Sequence, residues 1–180
     1  MMKILKLSFL SAFLAVICGC GYTTTSLLQA DFNSIHVSNF VNKIDPSAQI
    51  SDKRASYNYW PGLETDITRA VIDGFIYDRH LDVDSEKKAA LLLKGELVDF
   101  RQFPLSYNEG ESVEEVRIEV IVDIELYDNR TGKLIWRQNG FMGQADYDVV
   151  GPNKKNEGDA VAGAVKDLGE RIVELIVEAW

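Results

Sequence analysis

Residues 114–136 read EEVRIEVIVDIELYDNRTGKLIW, and this stretch decides how the rest of the chain is interpreted. Val116, Ile118, Val120, Val122, Ile124 and Leu126 occupy every even position, with Arg117, Glu119, Asp123 and Glu125 between them. A period of two puts all the apolar groups on one side of an extended chain, so this is a strand with one buried and one wet face. The run is long for a strand. Residues 128–132, DNRTG, then supply turn chemistry before apolar residues resume at Leu134, so a long antiparallel hairpin is expected at the middle of a sheet.

Working outward, residues 89–103 make a second long strand whose phase changes between Leu93 and Phe100, which predicts a bulge near Leu97 and Val98. The return strand of the hairpin changes phase around Gly140, with Leu134 and Trp136 even but Phe141, Ala145, Tyr147 and Val149 odd. Upstream, Ile35, Val37 and Phe40 mark a first strand within residues 31–40. Residues 41–60 show neither period and read as a long loop. Pro61 followed by Glu64 and Asp66 opens a helix with Leu63, Ile67, Val71 and Phe75 on one side, ending near Arg79 and His80. The last helix starts near Asp159 as N-cap and carries Val161, Val165, Leu168, Ile172, Leu175, Ile176 and Ala179 in a stripe. The order is strand, helix, three strands, helix. It predicts an α+β domain over residues 31–180, with two helices packed on one face of a four-stranded, mostly antiparallel sheet.

The first nineteen residues read as an export signal: Lys3 and Lys6 precede an apolar run at residues 7–17 that is short for a membrane span. The signal ends in Ile17-Cys18-Gly19-Cys20, similar to a bacterial lipobox, and makes Cys20 the expected lipidation site. Acyl chains such as palmitate on Cys20 would anchor the protein, with residues 20–30 as tether. Resemblance to the lipoproteins of Gram-negative cells implies that Gly21, rather than Asp, after the cysteine sorts the protein to the outer membrane. Cleavage would remove Cys18 and leave no disulfide, so the fold must stand on its apolar core.

The formal charge of −9 falls to −11 once Lys3 and Lys6 are lost, which argues against general attraction to nucleic acid or anionic lipid; an anionic ligand must be met by a local basic cluster. The chain carries no Gly-rich phosphate loop, nucleophile elbow, paired metal-spaced histidines or cysteine cluster, so no enzyme, metal or cofactor is expected. His80 reads as a helix-end cation and His36 as a hydrogen-bonded strand residue. Glu114, Glu115, Glu119 and Glu125 form the solvated face, and Asn129-Arg130-Thr131, a glycosylation acceptor by pattern, is a turn.

Several short segments occur in the same order as in the lipopolysaccharide-assembly lipoproteins, the LptE family. They are Gly19 to Tyr22, Ile35-His36-Val37 with Phe40 and Asn42, Leu63-Glu64, Leu92 to Gly95, Pro104 to Tyr107, the strand from Arg117, and Asp128 to Trp136. The chain resembles that family over its whole mature length, although the 41–60 loop looks longer than the family's link. The resemblance implies an outer-membrane lipoprotein on the periplasmic side, with two helices on a four-stranded sheet, that assembles with and plugs a β-barrel partner delivering lipopolysaccharide to the surface. Charge and placement nominate Arg101, Arg130 and Lys133 as lipopolysaccharide contacts. Pro104, Leu105 and Tyr107, expected in an exposed loop because proline ends a ladder, are the candidate contacts with the barrel. The alternative is a lipid-anchored periplasmic regulator docking on a cell-wall synthesis enzyme.

Overall fold

The computed structural model describes residues 32–44 and 60–178. The expected signal, Cys20, the tether and most of the 41–60 loop lie outside them. Eight elements follow in order: β1 (Ser34–Val37), β2 (Val41–Asn42), α1 (Leu63–Asp78), β3 (Asp82–Val83), β4 (Leu91–Tyr107), β5 (Val113–Asp128), β6 (Lys133–Asp148) and α2 (Glu157–Val177).

The hairpin is as the alternation required. Val116 through Leu126 at even positions are all buried, and β5 pairs antiparallel with both β4 and β6 along nearly its full length. Register slips at Leu97/Asp99, leaving Val98 as the extra residue, and again opposite Val122/Ile124, where Gly140 takes φ 64. Both bulges therefore sit where the sequence changes phase. At the second, the Gly140 N–H, freed from the ladder, donates to the Asp123 carboxylate at 2.7 Å.

The sheet itself differs from the expectation. Among the described residues it has six strands in the order β3-β1-β4-β5-β6, with β2 also on β4, and it is mixed: β1 lies parallel to both β3 and β4, and β2 parallel to β4. The reason is the helix. After β1 and β2 the chain returns along α1 to the end where it began, and a strand entered from there must run parallel to β1. β2 and β3 are two residues each, too short to show any period.

Helix boundaries also shift. α1 opens at Leu63 behind Gly62, which is left-handed at φ 84, so Pro61 lies in the turn ahead of the helix. It ends at Asp78, with Arg79 left-handed and its N–H donating to Phe75 O. α2 is capped by Asn156, three residues before the expected Asp159. Asn156 Oδ1 accepts from the Asp159 N–H at 2.8 Å and its amide donates back to the Asp159 carboxylate at 2.7 Å, so Asp159 completes a reciprocal cap from inside the first turn.

Both helices bury their apolar stripes on the even-numbered face of β5, with Phe75, Ile67, Leu168 and Ile172 fully covered. Small residues set how closely the layers meet. A Cβ on Gly74 would lie 2.9 Å from Val173 Cγ2, and one on Gly169 would lie 3.0 Å from the backbone of Ala70. The helices run parallel, both starting at the end of the sheet that carries the β4–β5 turn.

The buried polar group Thr68 ties the link between β1 and β2 to α1. Its hydroxyl donates to Glu64 O at 2.7 Å and accepts the Phe40 N–H at 2.9 Å. Thr68→Val keeps the shape but strands that N–H, which costs about 1–3 kcal/mol. At roughly 2–4 °C per kcal/mol for a domain of this size, thermal unfolding should shift down by about 2–12 °C, with Thr68→Ser close to wild type. An unshifted Thr68→Val would mean that the Phe40 N–H finds another acceptor.

Candidate functional site: two ends of a long sheet

β1 and β4 start, and the β5–β6 turn closes, at one end of the sheet: Leu91 pairs with both Ile35 and Asp128. The β4–β5 turn lies at the other end. All the described candidate residues but Arg101 divide between these ends.

At the first end, Arg130 stacks its guanidinium 4.7 Å from the Phe32 ring and lies 3.3 Å from Asp128. Burial pushes the Asp128 carboxyl up, but hydrogen bonds from Thr131 and Arg130 outweigh it and hold the group below the usual carboxylate range. Lys133, the first residue of β6, is exposed. The loop after β3 is drawn against this turn by Asn129, whose side-chain amide donates to Glu86 O at 2.6 Å and Ala89 O at 2.9 Å. That brings the exposed Lys87 and Lys88 to the same end as Arg130 and Lys133. Neither lysine stands out in the sequence, where they lie some forty residues upstream of Arg130; the Asn129 bonds are the signal.

Arg101 does not join them. It sits opposite Glu119 on β5, nine residues from Asp128, or roughly 30 Å along the strand at about 3.3 Å per residue. Its guanidinium is already 2.6 Å from the Asp99 carboxylate. It belongs to the open face of the sheet, where charges compensate each other across strands. Arg117 holds Asp146 through two bonds of 2.6 and 2.7 Å, Arg137 pairs with Glu125, and the Tyr127 hydroxyl donates to Glu125 at 2.5 Å. The bond to Arg117 keeps the Asp146 carboxyl below its ordinary range, and the Tyr127 bond, then Arg137, does the same for Glu125. A depressed carboxylate contributes stability that is present at neutral pH and lost as pH falls through its folded value. This face is a solvated ion-pair lattice.

At the far end, Pro104, Leu105 and Tyr107 are not in a loop. β4 runs on to Tyr107, and the connection is residues 108–112, held by Asn108 Oδ1 accepting from Gly110 N and Ser112 N at 3.0 Å. β2 ends its pairing at Leu97, so from there β4 has only β5 beside it among the described residues, and a proline without an N–H is tolerated on such an edge. The ladder nonetheless slips: Pro104 pairs with Val116 and Ser106 with Glu115, which squeezes Leu105 out as the extra residue. Leu105 is 38% and Tyr107 58% exposed, side chains of a kind that folding alone does not require on a strand tip. Phe103, on the open face opposite Arg117, is half-buried.

The histidines take the structural roles expected of them. His36 Nδ1 donates to Asp84 O at 3.0 Å, and His80 Nδ1 lies 2.7 Å from Asp78 at the end of α1. Among the described residues no group of three or more His, Cys, Asp or Glu could hold a metal ion.

Among solved structures the chain is similar to a protein from Xanthomonas campestris, with 11% identity, a TM-score of 0.49, and 84% of this chain and 90% of that one covered. It is also similar to rare lipoprotein B from Shewanella oneidensis, with 13% identity, a TM-score of 0.46 and coverages of 81% and 95%. A third is the PelC dodecamer of Paraburkholderia phytofirmans, with 14% identity, a TM-score of 0.42 and coverages of 77% and 86%. No curated protein matches the chain. The assignment rests on the family profile for lipopolysaccharide assembly, LptE, which matches residues 32–177, from the approach to β1 to the last residue of α2. The chain belongs to the lipopolysaccharide-assembly (LptE) family.

Proposed function

We propose that this chain is a non-catalytic outer-membrane lipoprotein, anchored through Cys20 on the periplasmic side, that seats in a β-barrel partner during lipopolysaccharide transport and assembly. The observation that carries the reading is the family match across the whole described domain. The geometry supports a division of labour. The basic end, with Arg130, Lys133, Lys87 and Lys88, suits phosphate groups of lipopolysaccharide, since charge-assisted bonds to phosphate are among the stronger polar contacts. The far tip, with Pro104, Leu105 and Tyr107, suits the barrel wall.

The deciding experiment is co-purification of a tagged chain from membranes. A β-barrel outer-membrane protein is expected, and a cell-wall synthase in its place would favour the alternative regulator. Within that assay, Leu105→Asp with Tyr107→Asp should reduce recovered barrel at least tenfold, because burying two uncompensated carboxylates at an interface removes apolar contact and adds desolvation cost. Both side chains are exposed, so the melting temperature should hold; a double mutant that unfolds, or one that recovers full barrel, would remove the tip from the interface.

For the basic end, Arg130→Glu with Lys133→Glu should weaken lipopolysaccharide binding at least tenfold, from about 1.5–3 kcal/mol per charged hydrogen bond. Arg101→Glu should add little, since it lies roughly 30 Å along the strand from Arg130. If binding survives all three reversals, the ligand contacts lie elsewhere.

A further inference from the structure

A crevice of about 1170 Å³ runs between α1 and α2, and no sheet residue lines it among the described residues. Its floor is apolar and low, made by Ala70, Gly74, Val161, Val165 and Val173, and its rim is acidic, with Asp66, Asp73, Glu170, Glu174 and Glu178. Lys166 is the one cation among the described residues that line it, and it is 3.3 Å from Glu170. Asp66, Asp73, Glu174 and Glu178 have no ion-pair partner among the described residues. At one end Tyr77 stands 90% exposed.

We propose that this groove is a docking site for a basic amphipathic helix of a protein partner. Charge complementarity selects the occupant: an apolar floor between two rows of carboxylates matches a helix with small apolar groups on one side and lysine or arginine on its flanks. A second copy of this chain would bring the same acidic rim against itself in a two-fold contact, and an anionic lipid or nucleic acid is repelled. Dimensions agree. From Val161 to Val177 the α2 wall rises through sixteen residue steps, about 24 Å at 1.5 Å each, enough for some four turns of a third helix, and the small floor residues permit the close axis approach such packing needs. Exposed Tyr77 supplies the aromatic anchor usual in such contacts. The groove lies off the strand tip and the basic end, and the proposal does not depend on the barrel reading.

The test uses the purified chain and a fluorescent helical peptide of about eighteen residues built from lysine, alanine and leucine, with a glutamate-for-lysine counterpart. The lysine peptide should bind, lose affinity at least tenfold in about 0.5 M salt, and be at least tenfold weaker for Asp73→Lys with Glu174→Lys. Ala162→Trp, on an exposed lining position, keeps every charge but fills the groove and should weaken binding as much. Glu115→Lys with Glu119→Lys on the open sheet face should change it less than about twofold. The proposal is overturned if the lysine peptide does not bind, if the sheet-face reversal weakens it equally, or if Ala162→Trp leaves it unchanged. In cells, a photo-reactive residue at position 77 should cross-link to a basic segment of another protein. Capture of residues 45–59 of the same chain, or of a second copy, also overturns it.

Discussion

Gly143→Val should cost on the order of 3 kcal/mol and lower the melting temperature by roughly 6–12 °C, by the overpacking and size scalings that hold for domains of this length. Gly143 pairs with Val120 in the middle of the β5–β6 ladder, on the face that α2 covers. A Cβ there would stand 2.4 Å from Leu168 Cβ, and 2.6 Å from both Ala164 O and Leu168 Cα. Two of those three atoms are backbone, so no rotamer change relieves the contact, and α2 must lift from the sheet along its length. Gly95 makes an instructive contrast. A Cβ there would meet the Phe40 ring at 2.0–2.4 Å, but a ring can tilt where a helix backbone cannot, so Gly95→Ala should be the milder lesion. Chemical or thermal denaturation of the two variants checks the order. If Gly143→Val unfolds within about 1 kcal/mol of wild type, α2 is not seated as closely as this glycine requires.

Cys20→Ala should move the protein from the membrane to the soluble fraction or leave it as uncleaved precursor, an all-or-none change in place of a graded one. Each buried methylene of an acyl chain contributes about 0.8 kcal/mol of membrane affinity, and more than one chain is needed for stable attachment, so removing the acceptor removes the whole anchor. The eleven residues between Cys20 and Phe32 span at most about 40 Å when extended, and Phe32 carries the Arg130 guanidinium at the basic end of the sheet. An anchor at Cys20 would therefore keep Arg130, Lys133, Lys87 and Lys88 within reach of lipid headgroups. Mass spectrometry of the mature protein gives the direct reading, and an unmodified N-terminus would end the anchor argument.

Much of the α+β frame was legible in the sequence because its signals are local. The even positions of β5, the phase changes at Leu97 and Gly140, and the stripe on α2 at Val161, Val165, Leu168, Ile172 and Ile176 each follow from side chains seeking one face of a regular element, and each was found where the period put it; Leu175 is only half-buried, and Ala179 lies outside the described residues. What tertiary structure alone decided is non-local. The parallel edge of the sheet depends on α1 carrying the chain back to its starting end, and two-residue strands such as β2 and β3 have no period to read. Pro104 looked like a strand end because proline breaks a central ladder, but whether a ladder is central depends on which neighbour stops at Leu97. Asn156 rather than Asp159 caps α2 because both residues have capping side chains and only the entry path of the chain selects between them. The same holds for function. The residue types around Cys20 and the tip were visible from the start, whereas the gathering of Lys87 and Lys88 with Arg130 and the acidic groove between the helices exist only once distant segments pack, since charge acts through space and not along the chain.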